Sequence, residues 1–324
     1  MKYEIKQLMK QTGVAFGTSG ARGLATEMTD LVCYAYTRGF LQYLEEVGEL
    51  TKAGTEVAIA GDLRPSTGRI MAAVAKAAAE MGYAPLNCGR IPSPAVALYG
   101  INNSCPAIMV TGSHIPADRN GIKFNKASGE VLKTDETGIT SQIVELNDAL
   151  FNEDGSFITD AILPAEDERA VKTYVDRYLN TFPSDCLVGK QIGIYQHSAV
   201  GREQLVEIFK GLGAEVTPLG FSDTFIPVDT EAIRDEDVEL ARQWAAEYGF
   251  DAILSTDCIY EVAGDGQEEF GEQRLLAAAQ QHKDLLLRDL FPALLNEARQ
   301  FAKDGAFDDD VCLVGFRLRE LLNP

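Results

Sequence analysis

Residues Ala107–Phe124 read AIMVTGSHIPADRNGIKF, and their reading decides the fold. Four apolar residues, Ala107–Val110, have the length and pattern of a buried strand. The strand stops at Thr111–Gly112, and a polar loop with small residues follows. Open α/β sheets present ligand-contacting residues at such strand ends. Upstream, Glu56–Gly61 (EVAIAG) is another compact apolar run, ending at Asp62. An alanine-rich helical pattern over Thr67–Met81, an extended run Ala84–Cys88 and a short helix Ser93–Tyr99 come between the two. This strand–helix–strand rhythm predicts a mostly parallel sheet with helices on both faces.

Working outward, the segment near residues 150–165 (FNEDGSFITDAILPAEDE, from Phe151) reads as a surface connection, after which the rhythm restarts. A helix around Ala170–Leu179 leads to strand Gln191–Tyr195, helix Arg202–Leu212 and strand Glu215–Pro218. Helix Asp237–Tyr248 then runs into strand Asp251–Ser255. Beyond Asp257 the alternation breaks down. An acidic turn, Gly264–Glu272, precedes an amphipathic stretch over Gln273–Lys303, a second acidic turn and a final apolar run, Val311–Phe316. The expected architecture is two tandem α/β/α domains with mixed or parallel sheets, residues 1–160 and 161–257. A tail of helix and strand, residues 258–324, completes the chain.

Of 324 residues, 49 are acidic and 29 basic, a formal charge of −20. Such a chain repels the backbone of nucleic acid and anionic membrane surfaces, so neither is an expected partner. No apolar stretch approaches a membrane-spanning length. The N-terminal MKYEIKQLMKQTG lacks the apolar core and cleavage site of a signal peptide, which points to the cytoplasm. Six widely spaced cysteines form no CxxC pair and read as small, buried, reduced thiols.

The loop after Val110 carries the chemistry. Ser113 and His114 are adjacent, and Lys123 follows ten residues on in the same loop. A serine hydroxyl is a weak nucleophile unless a base or cation assists it. His114 and Lys123 supply the proton transfer and positive charge that phosphoryl transfer needs. A bare Ser-His pair is equally a polar turn whose serine caps a helix; the whole string favours chemistry.

The string resembles the active-serine loop of the α-D-phosphohexomutases, whose usual form is T-A/G-S-H-N-P followed by N-G-x-K; here Ile115 replaces the asparagine. Phe16–Gly23 (FGTSGARG) is similar to the family's N-terminal FGTxGxRG signature, and Gly61–Ser66 (GDLRPS) to its G-x-D-x-R segment. Tyr195–Arg202 (YQHSAVGR) extends the resemblance, which covers residues 1–257. It implies an isomerase of mannose or glucose phosphates. Ser113 would carry a phosphoryl group, donate it to a hexose phosphate and take back the other phosphate after the sugar reorients. By matched position, Arg22 would contact phosphate, His114 would help proton transfer and Lys123 would act as general acid or base. Arg64 has two readings, a phosphate contact and a helix-start salt bridge. Magnesium would neutralise the phosphate on Ser113.

The family's metal loop carries three aspartates at alternate positions and then an arginine. Asp257 takes the first place, but Ile259 and Glu261 take the next two and Val262 replaces the arginine. Isoleucine cannot ligate a metal, so a weak or incomplete magnesium site is expected. The remaining sequence, TDCIYEV through FDDDVCLVGFRL, resembles the C-terminal end of metal-dependent serine/threonine phosphatases of the bacterial stress-regulator type. There Asp257 and Asp309 fall at metal-ligand positions. Thr256–Asp257 is the expected seam between the two resemblances; the other reading is a single divergent mutase. The third and fourth mutase domains have no room in this chain, which predicts impaired turnover. A phosphosugar-binding or interaction protein without catalysis, and a phosphatase remnant, are the alternatives. The amphipathic tail packs on the second domain, pairs between chains or stays partly unfolded.

Overall fold

The computed structural model describes residues 1–17, 20–50, 54–112, 115–226 and 235–255. In chain order the elements are β1 (Lys2–Glu4), α1 (Ile5–Thr12), β2 (Ala15–Phe16), β3 (Gly20–Leu24), α2 (Asp30–Glu46), β4 (Glu56–Gly61), α3 (Thr67–Glu80), β5 (Ala84–Asn87), α4 (Ser93–Asn103), β6 (Ala107–Val110), β7 (Arg119–Lys126), β8 (Gly129–Glu130), α5 (Lys133–Thr140) and β9 (Ile143–Glu145). A 3₁₀ turn over Asp148–Leu150 closes this part. There follow α6 (Arg169–Thr181), β10 (Gln191–His197), α7 (Arg202–Gly211), β11 (Glu215–Phe221), α8 (Asp235–Tyr248) and β12 (Ala252–Leu254).

The main sheet has the order β2-β3-β7-β6-β4-β5, with β8 paired to β7. Strands β5, β4 and β6 run parallel, while β7 is antiparallel to β6 and to β3. The sheet is mixed, in keeping with the expected α/β class. Alternation along the strands divides its two faces. Val57 and Ile59 of β4, Ile108 and Val110 of β6 and Phe124 of β7 enter the core beneath α2 and α3. Ala58, Ala60, Ala107 and Met109 face the other way, toward α4 and Ala170 of α6. The small alanines of EVAIAG let that second helical layer approach. Phe40 stacks on Phe124 at 4.5 Å between ring centres, and the buried Tyr36 hydroxyl donates to Val14 O at 2.5 Å.

The connection over residues 150–165 is not the bare surface segment that its polarity suggests. Phe151 and Phe157 are buried, stacked at 5.0 Å, and each meets the Tyr34 ring edge-on. The backbone around them caps α2: Leu31 N–H donates to Gly155 O at 2.9 Å, and Phe157 N–H donates to Asp30 Oδ2 at 2.9 Å. Two phenylalanines six positions apart outweigh the acidic residues between them, because burying each ring gains more than a solvated loop could. Further on, Asn87 stitches the segment to β5: its Nδ2 donates to Pro164 O at 2.8 Å, and its carbonyl accepts from Asp167 N–H at 2.8 Å.

The second, smaller sheet has the order β11-β10-β12, with β10 and β11 parallel. Ile192, Ile194, Ala214 and Leu254 form its core. Residues 1–227 with 253–256 make one compact unit; α8 belongs to another. The tail expected beyond residue 257, including Asp309 and the face proposed for self-association, lies outside the described residues. Cys33, Cys88 and Cys105 are buried free thiols, and burial pushes them up to about 12, 12 and 11. No helix among the described residues is long and apolar enough to cross a membrane.

Candidate functional site

Strands β4 and β6 end side by side, and the two segments that leave them are tied together at once. Asp62, the first residue after β4, receives Gly112 N–H on Oδ2 at 3.1 Å. Its other oxygen accepts from Arg64 N–H at 3.0 Å and from the Thr67 hydroxyl at 2.6 Å. One carboxylate thereby fixes the start of α3 and the start of the loop after β6. Ser113 and His114, the central residues of that loop, lie outside the described residues. Their flanks are described: Ile115 N–H donates to Gly112 O at 3.0 Å.

Arg64 lies beneath the loop, 5% exposed. Its Nη1 donates to Pro116 O at 2.7 Å and Arg119 O at 3.0 Å, and its Nη2 to Ile115 O at 2.7 Å. Nε sits 3.3 Å from Asp62 Oδ2, the ion pair of one of its two sequence readings. The Phe225 ring covers the guanidinium at 4.9 Å. Asn120, wholly buried, completes the frame. Its Nδ2 donates to the hydroxyls of Ser66 at 2.9 Å and Thr67 at 3.0 Å.

Lys123 is not in the loop, as its place in the string suggests, but on strand β7. The hairpin-like return Arg119–Lys126 pairs back on β6, because Ile122 and Phe124 alternate into the core and carry the segment with them. The register sets Arg22 opposite Gly121 and Gly20 opposite Lys123. Residues directly opposite in an antiparallel pair share a face, so Arg22 and Lys123 are diagonal neighbours on the face turned away from α2 and α3. Gly121 makes this row passable. A Cβ there would meet Thr111 O at 2.9 Å and Arg22 Cγ at 3.1 Å. Thr111 N–H in turn donates to Gly121 O at 3.0 Å. Arg22, Gly121 and Thr111 therefore form a row that leads directly to the serine loop. Arg64, Arg69 and Lys126 are held in ion pairs; among the described residues Arg22 and Lys123 are not.

Asp257 lies outside the described residues, and among those described no group of three histidine, cysteine or carboxylate side chains could hold a metal. Arg202 of the YQHSAVGR segment donates to His197 O at 2.8 Å and to Ser222 O, with the Phe221 ring 4.1 Å away. His197 has a φ of +28°, uncommon for a non-glycine residue. Sequence reading missed Asn120 as part of the frame, and it passed over Asp62 as a strand end. The signal available for Asp62 was the Asp-x-Arg spacing itself.

Residues 13–149 match the family model described as phosphoglucomutase/phosphomannomutase, alpha/beta/alpha domain I. Residues 218–319 match that of stage II sporulation protein E, so this match begins within β11, upstream of the expected seam at 256–257. A phosphomannomutase of Sinorhizobium fredii (strain NBRC 101917 / NGR234) is 42% identical over 245 residues, 76% of this chain and 51% of the relative. One of Salmonella muenchen is 41% identical over 265 residues, 82% and 51% of the two chains. The chain thus spans about half the length of these curated relatives. A crystal structure of a phosphoglucomutase/phosphomannomutase family protein from Burkholderia thailandensis superposes with a TM-score of 0.55 at 18% identity, covering 84% of this chain and 59% of that one, and shares the fold. Over residues 13–149 the mixed α/β unit thus matches, in sequence, the phosphoglucomutase/phosphomannomutase domain I.

Proposed function

We propose that this chain is a phosphohexomutase-type isomerase in which Ser113 relays a phosphoryl group to and from mannose or glucose phosphates. The carrying observation is the row Arg22–Gly121–Thr111, with Lys123 on the same face, leading to the Ser113 loop at the C-terminal end of β6. Phosphoryl transfer depends on positioning and charge, and two cations beside an anionic phosphoserine supply both. In the first step the bond from Ser113 Oγ to phosphorus breaks as a sugar hydroxyl oxygen bonds to phosphorus. The hydroxyl proton passes to neutral His114 while Lys123 stays a cation beside the phosphoryl group, able to give a proton in the return step as it would to the departing oxygen, and Ser113 Oγ is left to accept the second phosphate. On this reading residues 1–160 form the phosphoserine domain, 161–257 the domain bearing Asp257, and 258–324 a phosphatase-like piece, all in the cytoplasm.

Magnesium, which the likeness implies, would use the phosphate on Ser113 and Asp257. The donor set is incomplete, because Ile259 has no ligand atom and Glu261 has a longer arm than the aspartate it replaces. That same deficiency favours a second reading, a phosphosugar-binding protein that holds its ligand without turnover. Incubation with glucose 1,6-bisphosphate or mannose 1,6-bisphosphate, followed by peptide mass spectrometry, tests the phosphoserine. A coupled assay from the 1-phosphates separates the two readings. Phosphate on Ser113 with measurable isomerisation supports the enzyme; absence of the modification in wild-type protein overturns it.

A further inference from the structure

We propose that Arg64 is a positioning residue: it sets the path of the Ser113 loop through backbone carbonyls and does not bind the transferred phosphate. The role rests on the phosphoserine reading above. Its geometry does not. Three carbonyls, those of Ile115, Pro116 and Arg119, point at one guanidinium between 2.7 and 3.0 Å. A planar fork with several fixed donors can satisfy carbonyls that diverge from one another; a lysine ammonium, a point charge on a flexible stem, cannot hold them in one plane. The guanidinium is aimed in turn. Asp62 pairs with Nε at 3.3 Å while holding Gly112 N–H, and Phe225 lies over the flat face at 4.9 Å.

Gly112 records how closely the loop is fitted to this group. A Cβ built there would lie 2.3 Å from Arg64 Cζ and Nε. The residues on either side of Ser113–His114 are thereby both fastened to one base, Gly112 through Asp62 and Ile115 through Arg64. An arginine enclosed in this way, 5% exposed, is turned to the loop backbone. The phosphate contact falls instead to Arg22, half-buried on the row with Gly121 and Thr111.

Two measurements on the full chain test the role. Hydrogen exchange of the peptide covering residues 111–119 is compared with that covering the α5–β9 region in wild type, Arg64→Lys, Arg64→Ala and Asp62→Asn. Phosphorylation of Ser113 is followed over a range of glucose 1,6-bisphosphate concentrations. Positioning predicts that both Arg64 variants raise loop exchange by about tenfold or more, with the reference peptide unchanged. It also predicts a maximal phosphorylation rate lowered by about tenfold or more, with the half-saturating concentration held within about twofold. Lysine should not rescue, and Asp62→Asn should move the same two readouts in the same direction. If Arg64→Ala does not fold, Arg64→Lys and Asp62→Asn carry the test. Unchanged loop exchange, or a raised half-saturating concentration that lysine restores, would overturn the proposal in favour of a phosphate ligand. Failure of wild-type protein to take up phosphate overturns the phosphoserine reading instead, and the exchange arm still decides whether Arg64 holds the loop.

Discussion

Gly112 owes its identity to a neighbour 48 positions earlier in the chain. Any side chain there would displace the Arg64 guanidinium, which three carbonyls and Asp62 already hold in place. Gly112→Ala is expected to cost about 1–3 kcal/mol, the usual range for overpacking a tight site, seen as a lowered urea midpoint with an unchanged slope. Loop exchange should rise with it. At this scale the sequence was legible where a residue type names its own chemistry. FGTSGARG and the TGSH string single out Arg22 and Lys123, and the structure sets both on one face of the sheet. Asn120 was not legible. Its role depends on two hydroxyls more than fifty residues upstream, and an N-G pair in sequence reads first as a turn.

Helices α2 and α5 meet β7 around a small ionic cluster. Asp135 accepts the Tyr43 hydroxyl at 2.7 Å and Leu132 N–H at 2.8 Å, and it pairs with Lys126 at 3.0 Å. Burial alone would raise the Asp135 carboxyl, but these bonds outweigh it and hold the group below its ordinary value. Burial would lower Lys126, yet Asp135 and Glu49 hold it above its ordinary value. Asp135 therefore stabilises the fold fully above the ordinary aspartate value of about 3.9 and loses that contribution as pH falls through and below it. Lys126 contributes fully below about 10.4, and its contribution fades as pH rises past that value. Asp135→Asn should cost about 2 kcal/mol near neutrality and flatten the acid limb of the stability profile, measured by urea unfolding from pH 7 downward. The element pattern itself was partly visible beforehand. Apolar runs such as EVAIAG and AIMV marked β4 and β6 to the residue. Strand β3, with sequence GARGL, has no such run; pairing with β2 and β7 makes it a strand. Local propensity gives no hint of that.

The first helix after residue 160 belongs, by its packing, to the first sheet. Ala170, Val171 and Tyr174 of α6 enter the core formed by Ala95, Val96 and Tyr99 of α4, and Arg169 reaches Glu56 of β4 at 2.9 Å. A fragment ending at residue 160 would leave that face of α4 bare, whereas one ending at 181 keeps it covered. The longer fragment is expected to stay monomeric and to melt higher, and the shorter to self-associate; size-exclusion chromatography with thermal melts distinguishes them. At this scale the sequence made the α/β class legible, and both sheets carry it, because alternation of strands and helices is a long-range pattern that survives local error. It placed the connection in solvent because composition weighs charges and turns, and it does not show that Phe151 and Phe157 meet over Tyr34.

The frame under the serine loop has a consequence for inheritance. Asp62, Arg64, Thr67 and Asn120, with the loop that they hold, all lie within some sixty consecutive residues of a single sheet. Recombination that replaced everything beyond β11 would leave every one of those bonds intact, taking only the Phe225 cover. The loop frame is a cassette: a gene can trade away its downstream partners and still pass on these bonds unchanged, which the next partner is free to use or to leave idle.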